Sequence, residues 1–167
     1  MQRLGVVMAC EYIAPTQTVA LNAPIVFNDS IPCSRGRIYH DDGNGTFQLR
    51  GMNRQGGCPC GCNNNLTEYA VTFVGNVAVP TGGTVGPIAV ALTIGGEPIE
   101  SSRSIVTPAA VDEYGTVVAT KIVKIPWGCC PSLSVEYVNG SVADPAFVPT
   151  PVISVVSGNL TIAPVNE

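Results

Sequence analysis

The chain has 167 residues, of which 46% are hydrophobic and only 12% are charged, and its formal net charge is −4. This length allows one domain with a substantial core. The eight lysines and arginines are scattered, which excludes the clustered positive charge of a nucleic-acid-binding surface. No stretch approaches about 18 uninterrupted apolar residues, so the sequence predicts no membrane-spanning helix and no membrane partner.

The low content of charged residues has a consequence for assembly. A monomer of this size usually carries more surface charge, which keeps it soluble. An apolar chain with so few charges gains solubility when it buries part of its surface against copies of itself. The composition therefore predicts a tight homo-oligomer.

Residues 1–17, "MQRLGVVMACEYIAPTQ", precede the first clear strand pattern. Their apolar run is short for the core of a signal peptide, and Glu11 follows it at once. We therefore interpret this segment as an extended N-terminal arm that precedes the folded domain, residues 18–167.

The remainder of the chain has the pattern of an all-β domain. Val, Thr, Ile and Ala, which favour pleated and half-buried surfaces, fill the segments between glycine and proline breaks, and no helical pattern is convincing. The spacing of these segments indicates eight to ten strands in a sandwich or barrel. In chain order the segments are TQTVAL, PIVF, GRIYH, GTFQLRG, LTEYAVTFVGNVAV, VGPIAVALTIGG, EPIESSRSIV, YGTVVATKIVKIP, LSVEYVNG and TPVISVVSGNLTIAPV.

Strict alternation in the two longest segments predicts which side chains share a face. One face of LTEYAVTFVGNVAV carries Thr67, Tyr69, Val71, Phe73, Gly75 and Val77, and one face of YGTVVATKIVKIP carries Val117, Ala119, Lys121, Val123 and Ile125.

The run "YAVTFVGNVAVPTGGTVGPIAVALTIGGEPIESSRSIVTPAA" resembles the jelly-roll fold of the complement-q and tumour-necrosis-factor (TNF) superfamily, and more closely its bacterial and phage branch. "GTFQLRG" upstream and "GCC" followed by "SVEYVNG" downstream fit the same pattern, which extends over roughly residues 16–164. The resemblance implies about ten short antiparallel strands in two sheets, and a compact homotrimer with apolar subunit contacts. The chain lacks the Gly-X-Y collagen repeats of many relatives.

Seven cysteines are present, and an odd count leaves at least one of them unpaired within the chain. Structural zinc usually takes paired C-x2-C knuckles, whereas the spacings here are C-x-C-x-C and C-C, and His40 is the only histidine. We therefore predict no metal, with one ion shared on a three-fold axis as the alternative. Redox catalysis usually needs C-x-x-C at the start of a helix, which the sequence does not offer.

Disulfide bonds are the interpretation we favour, and the resemblance implies where they lie. In the jelly roll, Cys62 opens the long strand, the Cys129–Cys130 pair lies in a turn near its end, and Cys33 sits near the same rim. The disulfide candidates are therefore Cys33, Cys62, Cys129 and Cys130. Such bonds imply an oxidising medium outside a cell.

The other three cysteines receive separate interpretations. Cys58 and Cys60 complete the glycine-rich cluster "GGCPCGC". Cys10 lies in the predicted arm, where it either cross-links subunits or stays free.

Catalytic patterns are weak. A Ser-His-Asp triad would have to use His40, and no serine lies in a nucleophile elbow. No glycine-rich phosphate loop opens a helix. The sequence predicts neither enzymatic activity nor a cofactor.

The resemblance implies a non-enzymatic structural protein of a phage particle: a head decoration, a head fibre or a tail-associated trimer exposed at the virion surface. Its arm would bind a capsid or other virion protein by strand addition or apolar docking. One alternative is a surface module that recognises a host glycan or host protein. Another is a trimer of a bacterial exosporium or cell surface.

Overall fold

The computed structural model describes residues 9–31, 37–51, 65–139 and 150–165. Within these ranges no helix is both long and apolar enough to cross a membrane. The described residues form β1 (Cys10–Ala14), β2 (Gln17–Ala20), β3 (Asn28–Ile31), β4 (Ile38–His40), β5 (Phe47–Leu49), β6 (Leu66–Ala78), β7 (Ile88–Ile94), β8 (Glu97–Pro98), a 3-10 helix (Glu100–Ser102), β9 (Ser104–Val106), β10 (Gly115–Pro126), β11 (Ser132–Val138) and β12 (Val152–Pro164).

The strands form two antiparallel sheets. The first has the order β10-β6-β12-β1-β3, with β2 paired to the early part of β12. The second has the order β4-β5-β11-β7-β8, with β9 also paired to β7. The predicted all-β sandwich of antiparallel strands is confirmed.

The two longest strands fix the first sheet. β6 and β10 pair from Val77 opposite Gly115 to Leu66 opposite Pro126. The alternation predicted which side chains share a face, and the structure shows that the face of Tyr69, Val71 and Phe73 is the buried one, while their neighbours on β6 are not fully buried. On β10 the face predicted to carry Val117, Ala119, Val123 and Ile125 is likewise the one that the structure buries at these four residues.

The core lies between the inner faces of the two sheets. At one end four aromatic rings form edge contacts: Phe47 with Tyr12 at a centroid distance of 4.6 Å, Phe47 with Phe27 at 5.6 Å, and Phe27 with Phe73 at 5.9 Å. Fully burying one such side chain stabilises the fold by about 1.5–3 kcal/mol, and edge-to-face packing adds about 0.5–1.5 kcal/mol. This cluster joins β1, β5 and β6, and therefore both sheets.

A tight turn joins β7 to β8, and its geometry requires glycine. Ile94 pairs with Glu97, so Gly95 and Gly96 form a two-residue hairpin loop. Their φ angles of 60° and 85° are those of a type I′ turn, whose twist matches that of the flanking strands. A side chain at either position would be strained.

Strand β1 lies inside the segment predicted as an arm. It pairs with β12 through Cys10–Ile162 to Ala14–Gly158, and with β3 on its other side. Cys10, Tyr12 and Ala14 point into the core and are 1–2% exposed. Residues 10–14 are therefore an integral strand of the first sheet. Residues 1–8 lie outside the described residues, so their role as an arm stays a prediction.

Two other predicted strands differ from the structure. The segment PIVF is not a regular strand and forms the isolated bridges Pro24–Glu136 and Phe27–Asn44. Pro24 has no N–H to donate to a continuous ladder. The segment EPIESSRSIV is divided into β8 and β9 by the 3-10 helix. The Ser102 hydroxyl donates to the carbonyl of Ile99 at 2.7 Å and accepts from the N–H of Leu92 at 2.9 Å, which fixes this break.

Candidate functional site

The outer face of the first sheet combines exposed apolar side chains with polar groups that bond to one another. A row of directly paired residues crosses four strands in the order Val118, Val74, Asn159 and Ile13. Half of the exposed large apolar side chains in the described part of the chain belong to this sheet: Ile13, Ile31, Leu66, Val74, Val118 and Ile122. The sheet therefore presents a broad apolar surface on the side away from the core.

The polar side chains of this face satisfy one another laterally. Asn76 accepts a hydrogen bond from the Thr116 hydroxyl at 3.0 Å and donates one to the Ser157 hydroxyl at 3.1 Å. The hydroxyls of Thr72 and Thr120 lie 3.1 Å apart across β6 and β10. These groups retain partners when water is removed, which lowers the cost of covering the face.

Ionisable groups are few on the same face. On β1, β6, β10 and β12 its outward side chains include only three: Glu11, Glu68 and Lys124. Lys124 Nζ lies 3.6 Å from Glu68 Oε1, so two of the three partly neutralise each other. An exposed pair of this kind contributes little to stability, but it leaves the face nearly uncharged.

A polar groove lies on the outer face of the second sheet, at its β4 edge. Tyr39, Gln48 and Ser132 are aligned across β4, β5 and β11, because Tyr39 pairs with Gln48 and Gln48 pairs with Ser132. The turn between β4 and β5 completes the groove, whose volume is about 280 Å³. Its lining consists of Tyr39, Asp41, Asn44, Thr46, Gln48 and Ser132.

The Tyr39 ring is the exposed aromatic surface of this groove. The residue is 54% exposed, and its hydroxyl donates to Asp41 Oδ1 at 2.9 Å. This hydrogen bond and the negative charge of Asp41 raise the pKa of Tyr39. The phenol therefore stays neutral, and its ring is held beside the carboxylate.

His40 lies beneath the groove and points into the core. Its side chain is 2% exposed and stacks on Phe47 at a centroid distance of 4.1 Å. Nδ1 lies 2.6 Å from Asp29 Oδ1, and Nε2 lies 2.8 Å from the carbonyl oxygen of Asn44. The pair resembles the base half of a catalytic triad. However, Nε2 already faces a carbonyl and the ring is buried, so it cannot take a proton from a substrate hydroxyl.

Three of the candidate cysteines lie within the described residues. Cys10 is on β1 and 1% exposed, while Cys129 and Cys130 are half-buried in the turn between β10 and β11, where Cys129 packs against the core. The other four, Cys33, Cys58, Cys60 and Cys62, lie outside the described residues. That Cys33, Cys62, Cys129 and Cys130 are the cysteines in disulfide bonds stays a prediction.

The segment "DDGNG" forms the predicted hairpin turn. The N–H of Asn44 donates to the carbonyl of Asp41 at 3.0 Å, and Gly43 has a φ of 80°. Asp42 Oδ1 accepts a hydrogen bond from the backbone N–H of Asp29 at 2.7 Å, so this carboxylate links the turn to β3. Among residues 9–31, 37–51, 65–139 and 150–165, no three His, Cys, Asp or Glu side chains are grouped to hold a metal ion.

Sequence reasoning missed both the groove and the Asp29–His40 pair. An exposed tyrosine next to a hairpin turn rich in Asp and Asn was the available signal for the groove. Its third strand, β11, is more than eighty residues further along the chain, so the alignment with Ser132 required the tertiary structure.

Comparison with solved structures identifies the architecture. Eiger TNF from S. frugiperda superposes with a TM-score of 0.62 at 9% identity, covering 96% of this chain and 93% of that chain. The globular domain of the zebrafish complement 1qA protein superposes with a TM-score of 0.53 at 10% identity, covering 95% and 98%. No protein-family model matches the sequence, and no curated protein matches it. At these identities the likeness shows the fold alone: the chain has the jelly-roll fold of the TNF and complement C1q globular domains.

Proposed function

We propose that this chain is a non-enzymatic structural protein that assembles into a homotrimer through the outer face of its first sheet. The observation that carries the proposal is the combination on that face of exposed Val and Ile side chains with polar groups that already have partners. Burying apolar surface gains about 25 cal/mol per Å², and the paired polar groups offset little of that gain.

The low charge of the whole chain supports the same proposal. Charged residues make up only 12% of the sequence, and obligate interfaces are more apolar than the rest of a protein surface. The number of three copies rests on the resemblance to the TNF and complement-q superfamily. Each copy would contribute the same face around a common axis.

We further propose that this trimer is exposed on a phage particle, as a head decoration, head fibre or tail-associated protein. The support is the resemblance of "VPTGG", "GPIAVAL" and "SVEYVNG" to segments of the bacterial and phage branch of the superfamily. An extracellular particle also suits a chain with seven cysteines. In this proposal residues 1–8, which precede β1, bind a capsid or other virion protein.

Sedimentation velocity tests the assembly. At micromolar concentration the wild-type protein is expected to sediment as a single species whose mass is three times the 17.3 kDa of one chain. Val74→Glu places a charge in the centre of the face, and we expect it to weaken association at least about a hundredfold. Val85→Glu is the matched control, because Val85 is 41% exposed and Val74 is 42% exposed, but Val85 lies outside the first sheet.

A monomeric wild-type protein, or equal effects of the two valine substitutions, would overturn the assembly proposal. The particle proposal has its own test, which is immunogold labelling of purified virions with an antibody against the jelly-roll domain. Regular labelling of the head or tail is expected. Virions that bind no antibody, although the protein is present in the lysate, would contradict it.

A further inference from the structure

We propose that the groove lined by Tyr39, Asp41 and Gln48 binds a neutral hexose unit of a glycan. The groove lies on the second sheet, whereas the proposed assembly uses the outer face of the first. The two surfaces are therefore on opposite sides of the sandwich, and the groove would stay open in an oligomer. This inference goes beyond the structural role and does not depend on it.

The lining matches the two chemical sides of a pyranose. A sugar ring has a patch of C–H groups on one face, and a tyrosine ring offers a large rigid apolar surface with low entropic cost. Tyr39 is 54% exposed at the wall of the groove. Around it Asp41 accepts hydrogen bonds, while Asn44 and Gln48 each offer both a donor and an acceptor, as the hydroxyls of a sugar require.

The same lining excludes other small ligands. No lysine or arginine lines the groove, so phosphates and other anions find no counter-charge. Its carboxylate repels acidic sugars, and one carboxylate is too few to hold a cation. Tyr39 is its only large apolar side chain, which is too little for a lipid. Uncharged saccharides are a class whose chemistry fits this lining.

The turn that carries Asp41 and Asn44 is held in place before any ligand arrives. The N–H of Gly43 donates to the carbonyl of Phe27 at 2.9 Å, and the N–H of Phe27 donates to the carbonyl of Asn44 at 3.0 Å. His40 Nε2 lies 2.8 Å from that same carbonyl. A pre-ordered turn avoids part of the entropic cost of binding.

Chemical-shift mapping with simple sugars tests the proposal. Methyl glucoside, methyl galactoside and methyl mannoside are titrated separately into the ¹⁵N-labelled protein. At least one is expected to shift the side-chain amide signals of Gln48 and Asn44 and to receive saturation transfer on its ring protons. Methyl glucuronide is expected to bind at least about tenfold more weakly, because the negative charge of Asp41 in the groove repels a second carboxylate.

Substitutions assign the binding to the groove. Tyr39→Ala is expected to weaken binding about tenfold or more, and Tyr39→Phe less than about threefold, because the ring rather than the hydroxyl makes the stacking contact. Tyr114→Ala is the matched control, since Tyr114 is 55% exposed but lies outside the groove. Gln48→Ala gives a second, independent loss.

The measurement is repeated on Val74→Glu, so that a failure of assembly is distinguishable from a failure of binding. Equal single-site affinity in wild type and Val74→Glu is expected. The proposal is overturned if none of the three neutral sugars shifts the groove signals, if Tyr39→Ala and Tyr114→Ala behave alike, or if the glucuronide binds as tightly as the neutral sugars.

Discussion

His40 and Asp29 form a short contact, with Nδ1 of the buried imidazole 2.6 Å from Oδ1 of the partly exposed carboxylate. The other ring nitrogen, Nε2, lies 2.8 Å from the backbone carbonyl of Asn44. Both neighbours are acceptors, whereas a neutral imidazole has one N–H donor and an imidazolium has two. A neutral imidazole can therefore donate in only one of these contacts and an imidazolium in both, while the hydrogen bond from the backbone N–H of Asp29 to Asp42 links β3 to the β4–β5 turn in either case.

We expect the imidazolium to show both N–H protons, protected from solvent exchange because the side chain is 2% exposed. When the ring becomes neutral, the remaining proton should stay on Nδ1, since a hydrogen bond to a carboxylate is stronger than one to a neutral carbonyl. Two-bond ¹H–¹⁵N spectra of the single histidine report both states. Asp29→Ala is expected to remove the preference for Nδ1. A neutral ring protonated on Nε2 in the wild type would contradict this expectation.

Because two tyrosines are buried, we expect the fold to lose stability at alkaline pH. Burial, with a smaller contribution from the charge of Asp29, raises the pKa of Tyr12 to about 12, and burial raises that of Tyr137 to about 12. The unfolded chain loses these protons from about pH 10, before the folded chain does. The contribution of these two phenols to the free energy of unfolding is therefore fully present below about pH 10. It is lost as the pH rises towards 12, by on the order of 2–3 kcal/mol for each tyrosine.

Urea unfolding midpoints measured at increasing pH check this expectation. Tyr137→Phe removes one titrating group, and also the hydrogen bond from its hydroxyl to the carbonyl of Thr150 at 2.6 Å. It should therefore lower the midpoint near neutral pH but flatten the alkaline decline. Val71→Ala is the control, because it destabilises the core without changing titration and should keep the wild-type slope. Equal slopes for Tyr137→Phe and the wild type would count against the argument.

The long strands were predictable because alternation over a dozen residues fixes the buried face without tertiary information. On β6, Tyr69, Val71 and Phe73 repeat with a period of two, and all three are fully buried. Strand β1 has only five residues, and Ile162, which pairs with Cys10, is about 150 positions further along the chain. A short segment whose pairing is entirely long-range leaves no local signal, so it was interpreted as an arm.

The same limit on what the sequence can predict applies to the apolar face of the first sheet and to the Tyr39 groove. The low charge of the whole chain was visible in composition, but which face is apolar was not, and the bonds among Thr116, Asn76 and Ser157 join three strands distant in sequence. The Tyr39 groove also depends on strand pairing, since its alignment with Ser132 passes through Gln48. Composition therefore predicted that a surface would be covered, while the identity of the groove required the register.

Two glycines make room for the Phe73 ring in the first sheet. Gly75 and Gly158 are directly opposite each other on β6 and β12. A Cβ on Gly158 would lie 2.8 Å from Cε2 of Phe73 and 3.1 Å from Cβ of Ala14, and a Cβ on Gly75 would collide with Cζ of the same ring. We expect Gly75→Ala and Gly158→Ala each to lower the free energy of unfolding by about 1–3 kcal/mol through overpacking.

A double-mutant cycle with Phe73→Leu isolates this cause. Leucine lacks the ring atoms that meet the new methyl group, so Gly75→Ala should cost much less in the Phe73→Leu background. Chemical denaturation gives the four free energies of unfolding, and a coupling of at least about 0.5 kcal/mol is expected. Strictly additive effects would show that the ring does not require the glycine.

The cysteines provide the last prediction. Cys10 is 1% exposed on the inward face of β1, and Cys129 packs against the core. We expect Cys10, Cys129 and Cys130 to be in disulfide bonds. The bond of Cys10 is expected to lie within one chain, because a bond between subunits would need its sulfur at the surface. Each native disulfide typically stabilises a domain by about 2–4 kcal/mol, so reduction should lower the melting temperature.

Alkylation in denaturant without reductant, followed by peptide mass spectrometry, should leave these three cysteines unmodified and identify their partners. Since the chain has seven cysteines, at least one thiol is expected to react. Cys10→Ser and Cys129→Ser should each release one further thiol, because each leaves a former partner unpaired. A shared metal ion would instead hold thiolates that all react once the protein unfolds. Seven alkylated thiols in unreduced protein would therefore refute the disulfides, and zinc released in the same sample would favour the metal.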